Sequence, residues 1–272
     1  MTVTATQVKE LRDRTGAGMM DCKRALQEAG GDLDAAVRLL REKGMASAQK
    51  RAGRGTKEGK VLADVSPRER GTLVAVGCET EPVSKNEDFL AFADRALALV
   101  RDDGPAAAAD LEEERAELVA RIGENVAIVG AARFDAGEGE VVAGYVHPPA
   151  EKIGVLVRAR AREDLARMVA MHVAASRPRH LTRADVPQDE IRRERDIYEK
   201  LPEVGAKPEH IRPQIVDGMI QKRFFAESVL LEQPWVHDPS LTVEKALAEH
   251  GAEVLEFVRL DVTDAPAAES EE

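Results

Sequence analysis

The chain has 272 residues, of which 43% are hydrophobic and 33% charged, and this is the composition of a soluble globular protein long enough for two domains. Its net charge of -11 argues against a nucleic-acid-binding protein, since phosphate contacts need a concentrated basic surface. We also expect no membrane helix, no signal peptide and no disulfide framework, and therefore a cytoplasmic protein, because long apolar runs are absent and only two cysteines occur.

Residues 1–45 predict a module of three short helices. Thr4 and Gln7 form a capping-box pattern at the start of the first helix. Glycines at 16 and 18 end that helix, while Asp32 is a suitable N-cap for the third, which we expect to stop at Gly44. The apolar positions at helical spacing are Val8 and Leu11, then Cys22, Ala25, Leu26 and Ala29, then Leu33, Ala36, Val37 and Leu40.

Two adjacent methionines follow the turn between the first two helices. Met19 and Met20 are flanked in sequence by the basic residues Arg12 and Lys23. Methionine is flexible and polarizable, so an exposed pair suits an adaptable apolar contact with another protein. Spacing alone favours a second interpretation, in which both methionines fill the small core of the module.

A helical tail and linker are expected over residues 46–58, and after them the apolar pattern changes to an alternation typical of strands. Strands are predicted at 60–65 and 72–76, helices at 89–100 and 111–122, and a third strand at 125–134.

The same order of elements returns in the second half of the chain. Strands are predicted at 141–146 and 153–159, a helix at 165–175, a helix at 243–250 and a strand at 254–262. We therefore predict an α+β fold with two related subdomains, 59–138 and 139–264, each with an antiparallel sheet partly covered by helices.

An insertion is predicted at about 187–233, between the two helices of the second subdomain. A charged helix begins near Ile191, and a second one over 208–231 carries an apolar stripe. Joined through residues 203–207, the two would form a protruding antiparallel hairpin. The acidic tail, 265–272, is expected to be disordered.

No pattern for catalysis or for cofactor binding is found in the sequence. The glycine-rich runs at 53–55 and 137–139 lack the spacing of a dinucleotide loop, and no phosphate-binding GxxxxGK[ST] run occurs. The histidines lack paired ligands at metal-binding spacing. We therefore expect no enzyme activity, no cofactor and no metal, and we expect Cys22 to be a small core residue rather than a reactive thiol.

The ordered motifs resemble the bacterial elongation factor Ts family over nearly the whole chain. The resemblance implies a ubiquitin-associated-like amino-terminal module, an α+β core with a helical protrusion, and exchange of guanine nucleotide on the GTPase elongation factor Tu, without direct contact to nucleic acid or membrane. Members often continue into a further carboxy-terminal helix, which we do not expect here. The motifs are residues 11–26, Cys78-Glu79-Thr80, Glu124-Asn125, Tyr145-Val146-His147, Ile153-Gly154-Val155-Leu156-Val157, Met171-His172-Val173-Ala174-Ala175-Ser176 and Gln233-Pro234-Trp235-Val236.

The same resemblance implies a set of residues that contact elongation factor Tu. In the family the loop after the second strand usually has the sequence Thr-Asp-Phe-Val, so this chain keeps a carboxylate and lacks the aromatic wedge. We expect Pro82 to hold Glu81 in extended geometry, and Trp235 to anchor the core. The implied contact residues are Arg12, Met19, Met20, Lys23, Thr80, Glu81, Pro82, Val83, His147 and Val236.

Two alternatives to nucleotide exchange remain at this point. A protein of the same fold could bind elongation factor Tu with weak or no exchange activity, and the altered Glu81-Pro82 pair motivates that hypothesis. An unrelated enzyme would need a cluster of convergent acidic and histidine residues. From the residues alone, the 79–86 segment could equally be a simple connection, and His147 an ordinary loop histidine.

Overall fold

The computed structural model describes residues 3–51 and 53–264, and the predicted tail at 265–272 lies outside them. The amino-terminal module has three helices, as the spacing predicts. Thr4 and Gln7 make the reciprocal capping-box bonds, Gly16 ends the first helix with a φ of 66°, and Asp32 caps the third through the Ala35 N–H. The helices are α1 (Ala5–Thr15), α2 (Met19–Glu28) and α3 (Leu33–Arg51).

The first core subdomain is an antiparallel three-stranded sheet with helices on one face. Its strand order is β1-β2-β3, so the strand that is most completely buried, β2, lies at the centre. The strands are β1 (Glu58–Ser66), β2 (Arg70–Cys78) and β3 (Val126–Asp135), and the helices are α4 (Glu81–Ser84), α5 (Glu87–Asp103) and α6 (Glu112–Ile122), with a 3-10 segment at Pro105–Leu111.

The second subdomain repeats this arrangement with the strand order β4-β5-β8. Helix α7 packs on the outer face of this sheet. The subdomain also contains a small two-stranded ribbon, β6-β7, which the sequence did not predict. The strands are β4 (Val141–Val146), β5 (Ile153–Arg160), β6 (Pro234–Trp235), β7 (Asp238–Thr242) and β8 (Glu253–Asp261); the helices around the insertion are α7 (Glu163–Ser176) and α12 (Val243–Ala248).

The two sheets pack face to face, which gives a four-layer helix–sheet–sheet–helix core. Alternate residues of each strand point to opposite faces, so Val74 packs towards α5 while Leu73 packs towards the other sheet. Glycine permits the close approach of the sheets: a Cβ at Gly71 would lie 2.4 Å from Val142, and one at Gly154 would lie 2.4 Å from Val61.

The insertion is helical, but its second half is more segmented than the single predicted helix over 208–231. Prolines recur at the starts of its helices, where the missing N–H costs no hydrogen bond. Val204, Val216, Ile220 and Phe224 give the insertion a small core of its own. Its helices are α8 (Gln188–Glu199), α9 (Pro202–Gly205), α10 (Arg212–Met219) and α11 (Phe225–Ser228), with a π-helical turn at Ile220–Phe224 and a 3-10 segment at Glu209–Ile211.

The predicted stop of the third helix at Gly44 is wrong, since α3 continues to Arg51. Residues 46–51 are helical, as expected for the helical tail. Gly44 is buried where α3 packs on α6, and a Cβ at this position would lie 2.8 Å from the Ala120 Cβ. Arg41 adds ion pairs to Glu113 and Glu117 of α6. The glycine therefore permits helix packing instead of ending a helix.

Candidate functional site

Met19 and Met20 begin α2 and are exposed over 56% and 64% of their surfaces. Leu11 and Cys22 are fully buried beneath them, and these apolar residues fill the core of the module. The interpretation of the two methionines as core residues is therefore wrong. Arg12 is also exposed.

Lys23 is exposed on the same short helix as the methionines. Within residues 3–51 and 53–264, neither Lys23 nor Arg12 forms an ion pair with a carboxylate, unlike Arg14, which contacts Glu10 at 2.7 Å. The module therefore presents two flexible apolar side chains together with basic groups that no described acidic residue neutralises, an arrangement that suits an interface with an apolar centre and a charged edge.

The 80–83 turn is a short helix rather than an open loop. Thr80 is extended, with φ −130° and ψ 153°, and Glu81 begins α4. The expectation that Pro82 keeps Glu81 extended is therefore wrong, because proline is tolerated in the first turn of a helix, where its missing N–H is not needed. The extended residue is one position earlier in the chain.

Thr80, Glu81 and Pro82 are exposed, whereas Val83 is buried in the core against α5. The Glu81 carboxylate, 66% exposed, accepts a hydrogen bond from Lys85 Nζ at 2.7 Å. This bond and the charge of Lys85 lower the pKa of Glu81, with a smaller contribution from Lys152. The turn thus presents an ionised carboxylate, and Val83 anchors it from below.

Hydrogen bonds from a neighbouring segment hold the start of the turn. Both carboxylate oxygens of Glu124 accept hydrogen bonds from Thr80, one from the backbone N–H at 3.0 Å and one from the hydroxyl at 2.8 Å. In the reverse direction, Glu79 accepts from the Asn125 N–H at 2.7 Å. We refer to Glu79, Thr80, Glu124 and Asn125 as the clasp.

His147 directly follows β4 and is exposed. Its Nδ1 lies 3.0 Å from the Tyr145 hydroxyl. The loop that begins at His147 is fixed to the first subdomain, because the Glu151 carbonyl accepts from the Val61 N–H at 2.7 Å and Lys152 pairs with Glu58 at 2.6 Å. Lys152 also helps to lower the pKa of Glu81, and its partner Glu58 begins β1, which packs against α4. The loop and the 80–83 turn are therefore connected through β1.

Val236, 47% exposed, lies in the turn of the β6-β7 ribbon. Its N–H donates to Nδ1 of the buried His172 at 3.2 Å, so the His172 proton resides on Nε2, which donates to Gln233 Oε1 at 2.9 Å. Burial is the main cause that lowers the pKa of His172. Trp235, stacked on His172 with ring centroids 5.1 Å apart, is a core residue as predicted.

Contacts along α6 connect two of the predicted groups. Arg121 packs against the turn at Gly16, where a Cβ would lie 2.6 Å from Arg121 Cδ, and Arg121 is three residues before Glu124 of the clasp. The module and the 80–83 turn therefore meet at one end of α6. In the described ranges, no hydrogen bond or ion pair joins Val236 to the other predicted residues.

Sequence reasoning assigned no role to Glu124, Lys85 or Lys152. A signal existed for Lys85, which follows Glu81 by four residues, the spacing at which side chains meet on a helix. Glu124 was part of a recognised motif without a role. Nothing local indicated Lys152, because its position depends on the packing of the two subdomains.

In the part of the chain that the structure describes, no three histidine, cysteine or acidic residues come together as metal ligands. Both cysteines are buried, and burial raises the pKa of Cys78 to about 12, which keeps it in the unreactive thiol form. Among the described helices, none has the length and apolar character needed to cross a membrane.

Comparison with known proteins gives a consistent result along the chain. Residues 79–264 match the family model described as elongation factor TS. The chain is 42% identical to the elongation factor Ts of Thioalkalivibrio sulfidiphilus over 274 residues and 45% identical to that of Pasteurella multocida over 265 residues. Each alignment covers 96% of this chain and 92% of the relative. The chain therefore belongs to the elongation factor Ts family of translation elongation factors.

Proposed function

We propose that the protein is a guanine-nucleotide exchange factor that binds elongation factor Tu in its GDP-bound form, promotes GDP release and leaves when GTP binds. It performs no covalent chemistry in this role and needs no cofactor. The proposal places it in the cytoplasm, where translation takes place. Family membership supports the choice of partner, and the Glu81 turn supports the mechanism.

The observation that carries the mechanism is an ionised carboxylate on a turn that is anchored on both sides. Glu81 projects from α4 while Val83 is buried beneath it and Thr80 is held by Glu124. A negative charge brought close to the magnesium and phosphate groups of bound GDP competes with the phosphates for their positive partners. A rigid support is required, because a mobile turn would yield instead of displacing groups in the GTPase.

Two separated contacts would allow the factor to retain the GTPase while its nucleotide site is distorted. Met19 and Met20 offer affinity, and Glu81 with the neighbouring His147 loop acts on the nucleotide site. By linkage, the factor lowers nucleotide affinity by the same ratio by which nucleotide lowers the affinity of the factor. Binding energy that is equal for the GDP-bound and the nucleotide-free GTPase would not release GDP at all.

A protein that binds elongation factor Tu with little or no exchange is the second candidate. The exposed apolar residue on the turn is Pro82, whose compact ring cannot fill a pocket shaped for the phenylalanine that is usual in the family. If the GTPase needs an aromatic group there, binding would persist while GDP release stays slow.

Stopped-flow measurement of fluorescent GDP release from elongation factor Tu tests the proposal. We expect release to accelerate and saturate with factor concentration, and we expect the factor alone to bind no fluorescent GDP. A basal release rate at a concentration where calorimetry shows full complex formation would establish the second candidate. Absence of complex formation would contradict both.

A further inference from the structure

Glu124 engages both hydrogen-bond donors of Thr80, the backbone N–H and the hydroxyl. Its two oxygens accept from the Thr80 N–H at 3.0 Å and from the hydroxyl at 2.8 Å. Such bonds to an ionised acceptor are stronger than bonds between neutral groups. Glu124 itself directly follows Gly123, which ends α6 in the left-handed conformation with φ 83°.

Thr80 does not act as an ordinary helix cap. A threonine at an N-cap commonly accepts from a backbone N–H of the first turn, but Thr80 makes no such side-chain bond to α4. Its hydroxyl points instead to the end of α6. A segment 44 residues away therefore sets the direction in which α4 leaves β2. That direction also determines where Glu81 points.

The clasp also joins the turn to the segment that follows the amino-terminal module. The buried side chain of Asn125 donates from Nδ2 to the Arg54 carbonyl at 2.7 Å, and the Arg54 guanidinium lies 3.4 Å from Glu79. Three segments of the chain thus meet at the clasp. Loss of Glu124 leaves the Glu79–Asn125 connection in place and frees Thr80 alone.

We propose that Glu124 is the positioning residue of the 80–83 turn, and that it acts on GDP release by holding Thr80 so that Glu81 faces the partner. This inference rests on the proposed exchange function. Glu124 acts through Thr80 and Glu81 and not by its own contact to the GTPase. Its effect therefore belongs to the maximal release rate and not to the affinity for elongation factor Tu.

The test is the dependence of the GDP-release rate on factor concentration for Glu124→Ala. We expect the maximal rate to fall about tenfold, in keeping with loss of two charge-assisted hydrogen bonds, while the half-saturating concentration changes less than about twofold. Glu124→Gln should retain most of the maximal rate, because its amide oxygen can accept from the Thr80 N–H and its NH2 can donate to the hydroxyl.

Two further variants separate positioning from a general loss of structure. Thr80→Val removes only the hydroxyl donor and should lower the maximal rate about threefold. Glu114→Ala is the matched control, since it removes a glutamate of the same subdomain that pairs with Arg95 and makes no bond to the 80–83 turn. It should release GDP as the unmodified protein does.

Amide hydrogen exchange of the free factor provides a measurement that does not depend on the partner. Exchange at the Thr80 N–H should become faster in Glu124→Ala and remain slow in Glu124→Gln. An unchanged maximal rate in Glu124→Ala, or a changed half-saturating concentration alone, would overturn the inference. If the unmodified protein itself fails to release GDP, the proposed function fails, while unchanged Thr80 exchange would separately refute the positioning.

Discussion

The two regions proposed to meet elongation factor Tu differ in how their side chains are held. Met19 and Met20 stand on the first turn of α2, and their side chains are more than half exposed. Thr80 and Glu81, in contrast, are engaged by Glu124 and Lys85. One region offers adaptable apolar surface, whereas the other offers a charge on a turn that is hydrogen-bonded to a neighbouring segment.

This difference indicates that the two regions have separate roles, one in affinity and the other in the rate of GDP release. Flexible methionine side chains can fit a partner surface as its conformation changes. They therefore suit a contact that contributes affinity for both the GDP-bound and the nucleotide-free GTPase. A charge that acts on a nucleotide site has to stay in place, since a displacement of about 1 Å is enough to weaken the effect of such a group. Changes in the first region should therefore alter affinity, and changes in the second should alter rate.

The largest effect is expected for Met20→Asp. A charged group in the apolar contact must be desolvated, so we expect affinity for elongation factor Tu to weaken by about 1–3 kcal/mol. The maximal GDP-release rate should remain close to that of the unmodified protein. Calorimetry gives the affinity, and stopped-flow fluorescence gives the rate.

Met45→Asp is the matched control, because Met45 lies on α3 and is 51% exposed but belongs to neither region. It should leave the affinity unchanged. Circular dichroism should show both variants folded. If Met20→Asp lowered the maximal rate at unchanged affinity, the division between the two regions would be wrong.

Gly44→Ala tests the close packing of α3 on α6, which holds the module near the 80–83 turn. The added Cβ would lie 2.8 Å from that of Ala120, which cannot rotate away, so we expect loss of about 1–2 kcal/mol of unfolding free energy. Gly218→Ala is the comparison, since a Cβ within α10 meets nothing within 4 Å and should stabilise the protein by about 0.5–1 kcal/mol. Urea unfolding measures both, and equal effects of the two substitutions would contradict the close packing of α3 on α6.

Glu81→Ala and Pro82→Ala compare charge with shape inside the turn. We expect Glu81→Ala to lower the maximal GDP-release rate by several-fold and Pro82→Ala by less, because the carboxylate is the group that acts on the nucleotide site. Pro82→Phe should raise the rate if the GTPase retains an aromatic pocket, where a buried ring contributes roughly 1.5–3 kcal/mol. All three rates come from stopped-flow release of fluorescent GDP.

Lys85→Ala is the control for this comparison, because it removes the partner of Glu81 and leaves the carboxylate in place. It should lower the rate less than Glu81→Ala does. If Pro82→Ala were the more damaging substitution, the rigid proline would itself be the wedge.

Much of the core could be predicted because its pattern is local. Alternation along the strands gave the two sheets and their antiparallel order, and residues such as Val74 and Leu73 indeed face opposite layers. The role of Gly44 could not be predicted, because glycine is also a helix stop and only the approach of α6 distinguishes the two. The broken second half of the insertion likewise depends on tertiary packing around Val216 and Phe224.

The candidate site was predictable where single residues are exposed, and less so where segments cooperate. Met20 could be singled out from its neighbours in sequence. The geometry of Glu81 was predicted wrongly, because the rule that a residue before proline is extended is weak at a helix start, and Thr80 took the extended position instead. The bonds from Glu124 join residues 44 positions apart, which no local pattern reveals.

The smallest effect is expected for pH, and it concerns the histidine that holds the Val236 turn. His172 accepts from the Val236 N–H only when neutral, and burial lowers its pKa from the ordinary 6.5. Between these two pKa values the unfolded chain binds a proton that the folded chain does not, so the unfolding free energy falls as pH decreases through that window and is retained in full above 6.5.

His172→Asn, whose Oδ1 can replace Nδ1 as acceptor without titrating, should lack this fall. Urea unfolding from pH 7.5 to 5, followed through the fluorescence of the single tryptophan, Trp235, measures it. A constant difference between the two proteins across this range would show that His172 does not titrate on unfolding.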